Sequence, residues 1–385
     1  MMNKTFRGRR RSQLARLLPY DGMRRVLHSP LPAPFFLLAC LLSAGPMSGV
    51  LAGADYRAIQ TVEDGLPVVR LENPQADVVV SIAPSVGNIA YEFKASGRNF
   101  LFFPAKSLAE FARQPRLAGN PFLWPWANRL ENDVIPFDGN EYRLNPELEN
   151  FRRDAAGQPI HGLVAFGEWE VVELRASDRE ATVTSRLDFY RHPDWMAHFP
   201  FASRVEMTYR LSGSELEVRT RVENLSAETM PLSLGYHPYF QVHDAPRDEW
   251  TVRVPARSLW KLSDKLLPTG ETEPSDSVLS SREAQSLAGM ALDNVFGDLE
   301  REDEWARFVL AGKRERVEVR FGPQFDTAVV YAPQTPDRAF VCFEPMVGPT
   351  NAFHMARRGL YSRLETIAPG GAWEGVFRIA VSGYR

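Results

Sequence analysis

Apolar and polar residues alternate with a period of two along much of the chain after residue 55, the pattern of half-buried strands. In residues 204–211, Val205, Met207, Tyr209 and Leu211 alternate with Arg204, Glu206, Thr208 and Arg210. Ser212-Gly213-Ser214 supplies a turn, and on the return Leu216, Val218, Thr220 and Val222 alternate with Glu217, Arg219, Arg221 and Glu223. This predicts an antiparallel hairpin. A second hairpin is predicted between residues 169–174 and 181–189 through Ser177-Asp178-Arg179, and a final strand sets Trp373, Phe377, Ile379 and Val381 on one face. Helical periodicity is confined to residues 107–112 and a turn or two at 281–287. Many strands without regular helices between them predict an all-β fold of stacked antiparallel sheets rather than a parallel α/β fold. No stretch rich in Pro, Gly and Ser marks a linker, so residues 55–385 read as one domain.

The first 54 residues follow another pattern. They hold eight basic residues (Lys4, Arg7, Arg9, Arg10, Arg11, Arg16, Arg24 and Arg25) and one acid, Asp21. An apolar run from Pro34 to Ala44 follows, then small residues ending in Ala52-Gly53-Ala54. A basic start, a short apolar run and a small-x-small site predict an export signal over residues 1–54, removed near Ala54, with Met23 as the better-proportioned start. The run is too short, and too broken by Gly45 and Pro46, to span a membrane comfortably. Leu37-Leu38-Ala39-Cys40 also resembles a lipoprotein cleavage box, so lipid-anchored and soluble export both stay open. The expected location is periplasmic or extracellular.

Without those residues the chain keeps 37 basic and 47 acidic side chains, a formal charge of −10. Such a balance argues against nucleic acid or an anionic membrane as a partner. Of two cysteines, only Cys342 lies after the signal, so no intramolecular disulfide is available and the fold must rest on its core.

Three segments interrupt the alternation with dense polar and aromatic residues: residues 119–130 (GNPFLWPWANRL), 160–164 (IHGLV) and 233–240 (SLGYHPYF). A fourth, residues 341–353 (VCFEPMVGPTNAF), sets Glu344 among apolar neighbours. Together with Leu292-Asp293-Asn294-Val295-Phe296, and in this order, they resemble the aldose 1-epimerase (galactose mutarotase-like) family over about residues 68–381. The resemblance rests on Asn128-Arg129, His161-Gly162, Gly235-Tyr236-His237-Pro238-Tyr239-Phe240, the Asp293 segment and Phe343-Glu344-Pro345. It implies a large antiparallel β-sandwich, the galactose mutarotase-like supersandwich, with few short helices. It also implies an enzyme that interconverts the α and β anomers of a free aldose such as glucose or galactose.

The chemistry asks for these residue types. Ring opening needs a base for the C1 hydroxyl proton and an acid for the ring oxygen, and closing runs both transfers backwards. Histidine suits the acid role near neutrality, and a carboxylate among apolar groups becomes a better base. Carried over by the resemblance, His237 is the acid, Glu344 the base, and His161 a partner of the ring-oxygen region. Arg129, with Asn128, and Asp293 bind sugar hydroxyls. Trp124, Trp126 and Tyr239 are candidates for a stacking face. No cofactor is expected, and His192, His198, His243 and His354 show no metal-ligand spacing. A monosaccharide is the expected partner. Two alternatives stay open: a hexose-6-phosphate 1-epimerase, for which Arg152-Arg153 and Arg357-Arg358 are phosphate candidates, and a carbohydrate-binding protein without turnover.

Overall fold

The alternation in residues 203–224 folds as read. Ser203–Ser212 pairs with Glu215–Asn224, Leu211 opposite Leu216 and Val205 opposite Val222, and buried residues alternate with half-buried ones along the first strand. Gly213 takes the positive φ, 60°, that so short a connection needs. The second hairpin pairs Glu170–Ala176 with Ala181–Asp188, with one irregularity between Val171 and Glu173. These elements belong to a computed structural model that describes residues 50–52, 55–335 and 338–385, all of them within one compact unit, Pro46–Arg385.

Three antiparallel sheets dominate. The first is a six-stranded meander that begins at Val50–Ala52 and ends at Arg98–Asn99. In the second, of nine strands, both hairpins lie to one side of Ala372–Ser382, and Arg316–Phe321, Ala306–Ala311, Thr251–Arg253 and Gln285–Ser286 lie to the other. Ala372–Ser382 buries Trp373, Phe377, Ile379 and Val381 on one face, as the alternation predicts. The third sheet, of eight strands, has Leu292–Leu299, Thr327–Ala332 and Val341–Met346 side by side near its middle.

The second and third sheets pack face to face, as the expected sandwich requires. Phe308 and Phe377 of the nine-stranded sheet meet Phe343 and Tyr236 of the eight-stranded one, with ring centroids 5.5 and 4.7 Å apart. Because side chains alternate across a strand, Val341 and Phe343 enter this main core. Cys342, Glu344 and Met346 point to the opposite face of the same sheet. There Met346 joins a small separate cluster with Leu123, Ala127, Val295 and Val329. Strand Val341–Met346 is thus buried on both faces, and its second face is where a site is built.

Helices are few among the described residues. Leu108–Arg113 is the helix expected at residues 107–112, capped by the Ser107 hydroxyl accepting from Glu110 N at 3.1 Å. The helical turn expected at residues 281–287 does not form. Gln285–Ser286 instead pairs with Thr251 and Val252 at the edge of the nine-stranded sheet, where an open strand edge offers it backbone partners. Helix Ala352–Arg357 was not foreseen. Four consecutive residues of it, Ala352 to Met355, are buried, which erases the one-sided pattern that would reveal it. Strand Val50–Ala52 pairs with residues 57–59, upstream of the cleavage point expected near Ala54. Most of the expected signal lies outside the described residues.

Candidate active site

The outward face of Val341–Met346 carries Glu344, 1% exposed. Opposite it, residues 235–240 form two short strand pieces on either side of His237-Pro238, since proline donates no ladder hydrogen bond. Gly235 pairs with Met346, and Tyr239 with Cys342. His237, in the gap between them, is anchored by its N–H donating to the Pro121 carbonyl at 3.0 Å. The gap lets its side chain turn toward Glu344, and His237 Nε2 lies 3.1 Å from Glu344 Oε1. The imidazole stacks on the Tyr239 ring, centroids 4.6 Å apart and planes within 10°.

His161 reaches the same place from a strained turn. His161 and Gly162 have φ values of 66° and 64°. A Cβ on Gly162 would lie 2.2 Å from the Trp124 carbonyl oxygen, so the close approach requires glycine there. His161 N donates to the Asn128 carbonyl at 2.9 Å. Its ring meets His237 edge-on, with centroids 5.1 Å apart.

Arg129 closes another side. Asn128 (φ 54°) turns its side-chain oxygen back to accept from Arg129 N at 2.9 Å and from Arg129 Nη1 at 3.2 Å. Arg129 Nε donates to Asp154 Oδ2 at 2.7 Å, and its Nη2 lies 3.6 Å from Asp293 Oδ2. Asp154 is itself fixed by backbone amides of Ala156 and Gln158 at 2.9 and 2.8 Å. The Asp293 side chain is 39% exposed, unlike the buried Glu344 and His237. All six residues expected from sequence, His237, Glu344, His161, Arg129, Asn128 and Asp293, therefore come together.

The electrostatics favour neutral groups at the bottom. Burial, with the Asp293 charge added, pushes the Glu344 carboxyl well above its ordinary range, against a smaller pull from Arg129. Burial likewise depresses His237, and the Arg152 and Arg129 charges push the same way. His161 is depressed by burial first, then by the His237, Arg152 and Arg129 charges. Burial raises the Asp293 carboxyl, with Arg129 opposing. Asp154 differs: burial alone would raise it, but the hydrogen bond from Arg129 and those from the backbone hold it below the usual carboxylate range. Asp154 is thus a fixed anion that aims Arg129. Glu344 and His237 are in contact where burial favours the protonated carboxyl and the neutral imidazole.

Several buried polar atoms here have no partner in the protein: Glu344 Oε2, His237 Nδ1 and His161 Nδ1. Buried polar groups are nearly always hydrogen-bonded, so three converging exceptions suit a polar ligand. One expectation needs correction. Trp124 and Trp126 are not a stacking face, because both are buried in the main core, Trp124 against Phe189 and Phe199. Cys342 does not face the main core; it shares the Glu344 face and packs with Tyr239, Phe340 and Tyr331. Sequence reasoning also missed Asp154, because nothing in the run FRRDAAGQP signals that its carboxylate belongs to Arg129.

Comparison with known proteins bears on the fold and the family. The chain is 27% identical over 233 residues to the uncharacterised protein YihR of Escherichia coli (strain K12), covering 60% of this chain and 70% of that protein. It is 28% identical over 152 residues to the galactose mutarotase of Sus scrofa, spanning only 40% of that protein's length and 38% of its own. A galactose mutarotase-like protein from Clostridium acetobutylicum shares the fold, with a TM-score of 0.76 at 22% identity over 86% of this chain and 99% of that one. The Slr1438 protein of Synechocystis sp. PCC 6803 follows at 26% identity and a TM-score of 0.65, covering 84% of this chain and 98% of that one. The family profile described as aldose 1-epimerase matches residues 67–380, a span that holds every residue gathered around Glu344. On that match, the chain belongs to the aldose 1-epimerase family.

Proposed function

We propose that the protein is a mutarotase that interconverts the α and β anomers of a free aldose. The observation that carries this reading is the buried contact of His237 Nε2 with Glu344 Oε1 at 3.1 Å. An acid and a base that must address two oxygens on one carbon have to lie this close together. With the sugar bound, the carboxylate form of Glu344 takes the proton from the C1 hydroxyl, and a C1=O double bond forms. The C1–ring oxygen bond breaks, its electron pair stays on the ring oxygen, and His237 delivers a proton there. Rotation about C1–C2 turns the other aldehyde face to the ring oxygen, and the transfers run backwards. His161 orients the ring oxygen, and Arg129 and Asp293 hold hydroxyls at the mouth.

A requirement for a phosphorylated sugar receives little support. Of the candidate phosphate arginines, Arg153 donates twice to Asp133 at 2.8 and 2.7 Å, Arg357 to Glu141 at 2.7 Å, and Arg358 to Glu131 at 2.8 and 2.7 Å. The charges of these three already have carboxylate partners. Arg152, whose charge acts on His161 and His237, has no carboxylate partner among the described residues and is the one candidate left for a phosphate. A binding-only role leaves unexplained a carboxyl group buried against a histidine, since burying such groups costs stability unless they do something. Polarimetry of freshly dissolved α-glucose and α-galactose, against their 6-phosphates, tests the reading. Acceleration above the spontaneous rate with free sugars is expected; acceleration only with phosphates, or with none, overturns it. We also propose that the chain is exported, on the strength of its basic and apolar first residues.

A further inference from the structure

The proposed reaction uses two of three buried metal-binding side chains in the site and leaves the third idle. His237, Cys342 and Glu344 each offer one ligand atom, and these atoms all lie within 4.8 Å of one another. All three residues are buried. Cys342 and Glu344 are two positions apart on one strand, so the pleat turns both to the same face. His237 arrives from the facing segment, in which Tyr239 pairs with Cys342. A tetrahedral Zn²⁺ with nitrogen, sulfur and oxygen ligands at about 2.0–2.3 Å keeps those atoms roughly 3.5 Å apart. Closing the widest pair therefore asks for a movement of about 1 Å. Glu344 Oε2 has no partner to give up. One sulfur, one imidazole and one carboxylate suit a borderline-soft cation, whereas Mg²⁺ and Ca²⁺ take oxygen ligands.

We propose that His237, Cys342 and Glu344 form an inhibitory site for a thiophilic divalent cation, Zn²⁺ or a close analogue, whose binding withdraws the acid/base pair from the sugar. Only the inhibitory part rests on the mutarotase reading. On binding, the Cys342 thiol and the His237–Glu344 pair each release a proton to solvent, and thiolate, imidazole and carboxylate each donate an electron pair to the cation; nothing is oxidised or reduced. Water takes the fourth position. Cation and productively bound sugar need the same two side chains, so each excludes the other, and Zn²⁺ raises KM.

The test uses the purified full chain, stripped with a chelator and titrated with ZnCl₂ in a calorimeter and with CoCl₂ in a spectrophotometer. Expected are one Zn²⁺ per chain, a thiolate-to-cobalt charge-transfer band, and no heat from MgCl₂. Mutarotation is inhibited by Zn²⁺, restored by EDTA, and protected by excess sugar. Cys342→Ser and Cys342→Ala keep their mutarotation but bind Zn²⁺ at least about tenfold more weakly, as loss of a ligand requires. No binding to the wild type, or undiminished binding in both variants with native circular dichroism, overturns the site. A chain that binds Zn²⁺ through Cys342 yet turns over no sugar overturns the mutarotase reading and leaves the site standing. Mutarotation without Zn²⁺ binding does the reverse.

Discussion

At the scale of single residues, the proposed reaction turns on the contact of His237 with Glu344. Glu344→Gln cannot accept the C1 hydroxyl proton, and His237→Asn cannot deliver one, so each should slow mutarotation by about 10²–10⁴. The double variant should be little worse than the worse single, as for groups that act as a unit. The pH profile follows from the same contact. Burial lowers His237 and raises Glu344, so on acidification from the one-proton state His237 gains the second proton below the ordinary histidine range. On the alkaline side the pair loses its only proton above the ordinary glutamate range. The bell in kcat/KM should therefore have its limbs in the reverse order of an exposed pair, which would ionise its glutamate first, and they belong to the pair rather than to either residue. Stability carries the same signature. A carboxyl raised on folding contributes stability that is full below its unfolded value of about 4.3 and is lost as pH climbs through the raised folded value. Glu344→Gln escapes this loss, so its melting temperature should gain on wild type as pH rises from 5 to 8; parallel melting curves would show that Glu344 is not raised. His237 and Glu344 could be singled out because several short segments occur in one order. Residues 235–240 are the more specific of their two segments; Phe343-Glu344-Pro345 alone would read as a strand end. Asp154 could not, since its role appears only when Arg129 folds against it.

At the scale of elements, the turn at His161-Gly162 offers a test of how closely backbone must pack here. Gly162→Ala meets both a positive φ and a carbonyl 2.2 Å from the new Cβ. It should cost about 1–3 kcal/mol and raise KM as His161 is displaced. Gly65, with φ 83° and nothing within 4 Å of the place a methyl group would take, is the control: Gly65→Ala should cost about 1 kcal/mol from backbone strain alone and leave KM unchanged. Equal losses in the two variants, by denaturant titration and polarimetry, would show that the clash is relieved without moving the histidine. Hairpins were the most readable elements, because one face of Ser203–Ser212 is buried and the other only half-buried. Readability failed where that contrast vanishes. Val341–Met346 is buried on both faces, so its pattern does not tell that Glu344 and Cys342 share one side. Ala352–Arg357 lost its helical signature for the same reason. Gln285–Ser286 is strand only because an edge lies next to it.

At the scale of the molecule, processing and fold meet at the first strand. The proposed cleavage near Ala54 would remove Val50–Ala52 and leave Arg57–Glu63 at the margin of the six-stranded sheet. N-terminal sequencing of the exported protein should begin near Asp55; a full-length chain recovered from the cytosol, or a lipid on Cys40, would refute soluble export. The wider architecture was readable as stacked antiparallel sheets from the many strands and scarce helices. Which strands neighbour which was not, because pairings such as Glu215–Asn224 with Ala372–Ser382 join distant stretches of sequence. That last pairing bears on how the protein is made. Ala372–Ser382 comes after every other strand in the chain, yet it lies between Glu215–Asn224 and Arg316–Phe321 within the largest sheet. The two sides of that sheet therefore cannot be joined in the native order until the final strand is available. If the chain is exported as proposed, a sheet that closes only with its final strand would leave it unclosed on reaching a translocation channel, and closure would follow passage.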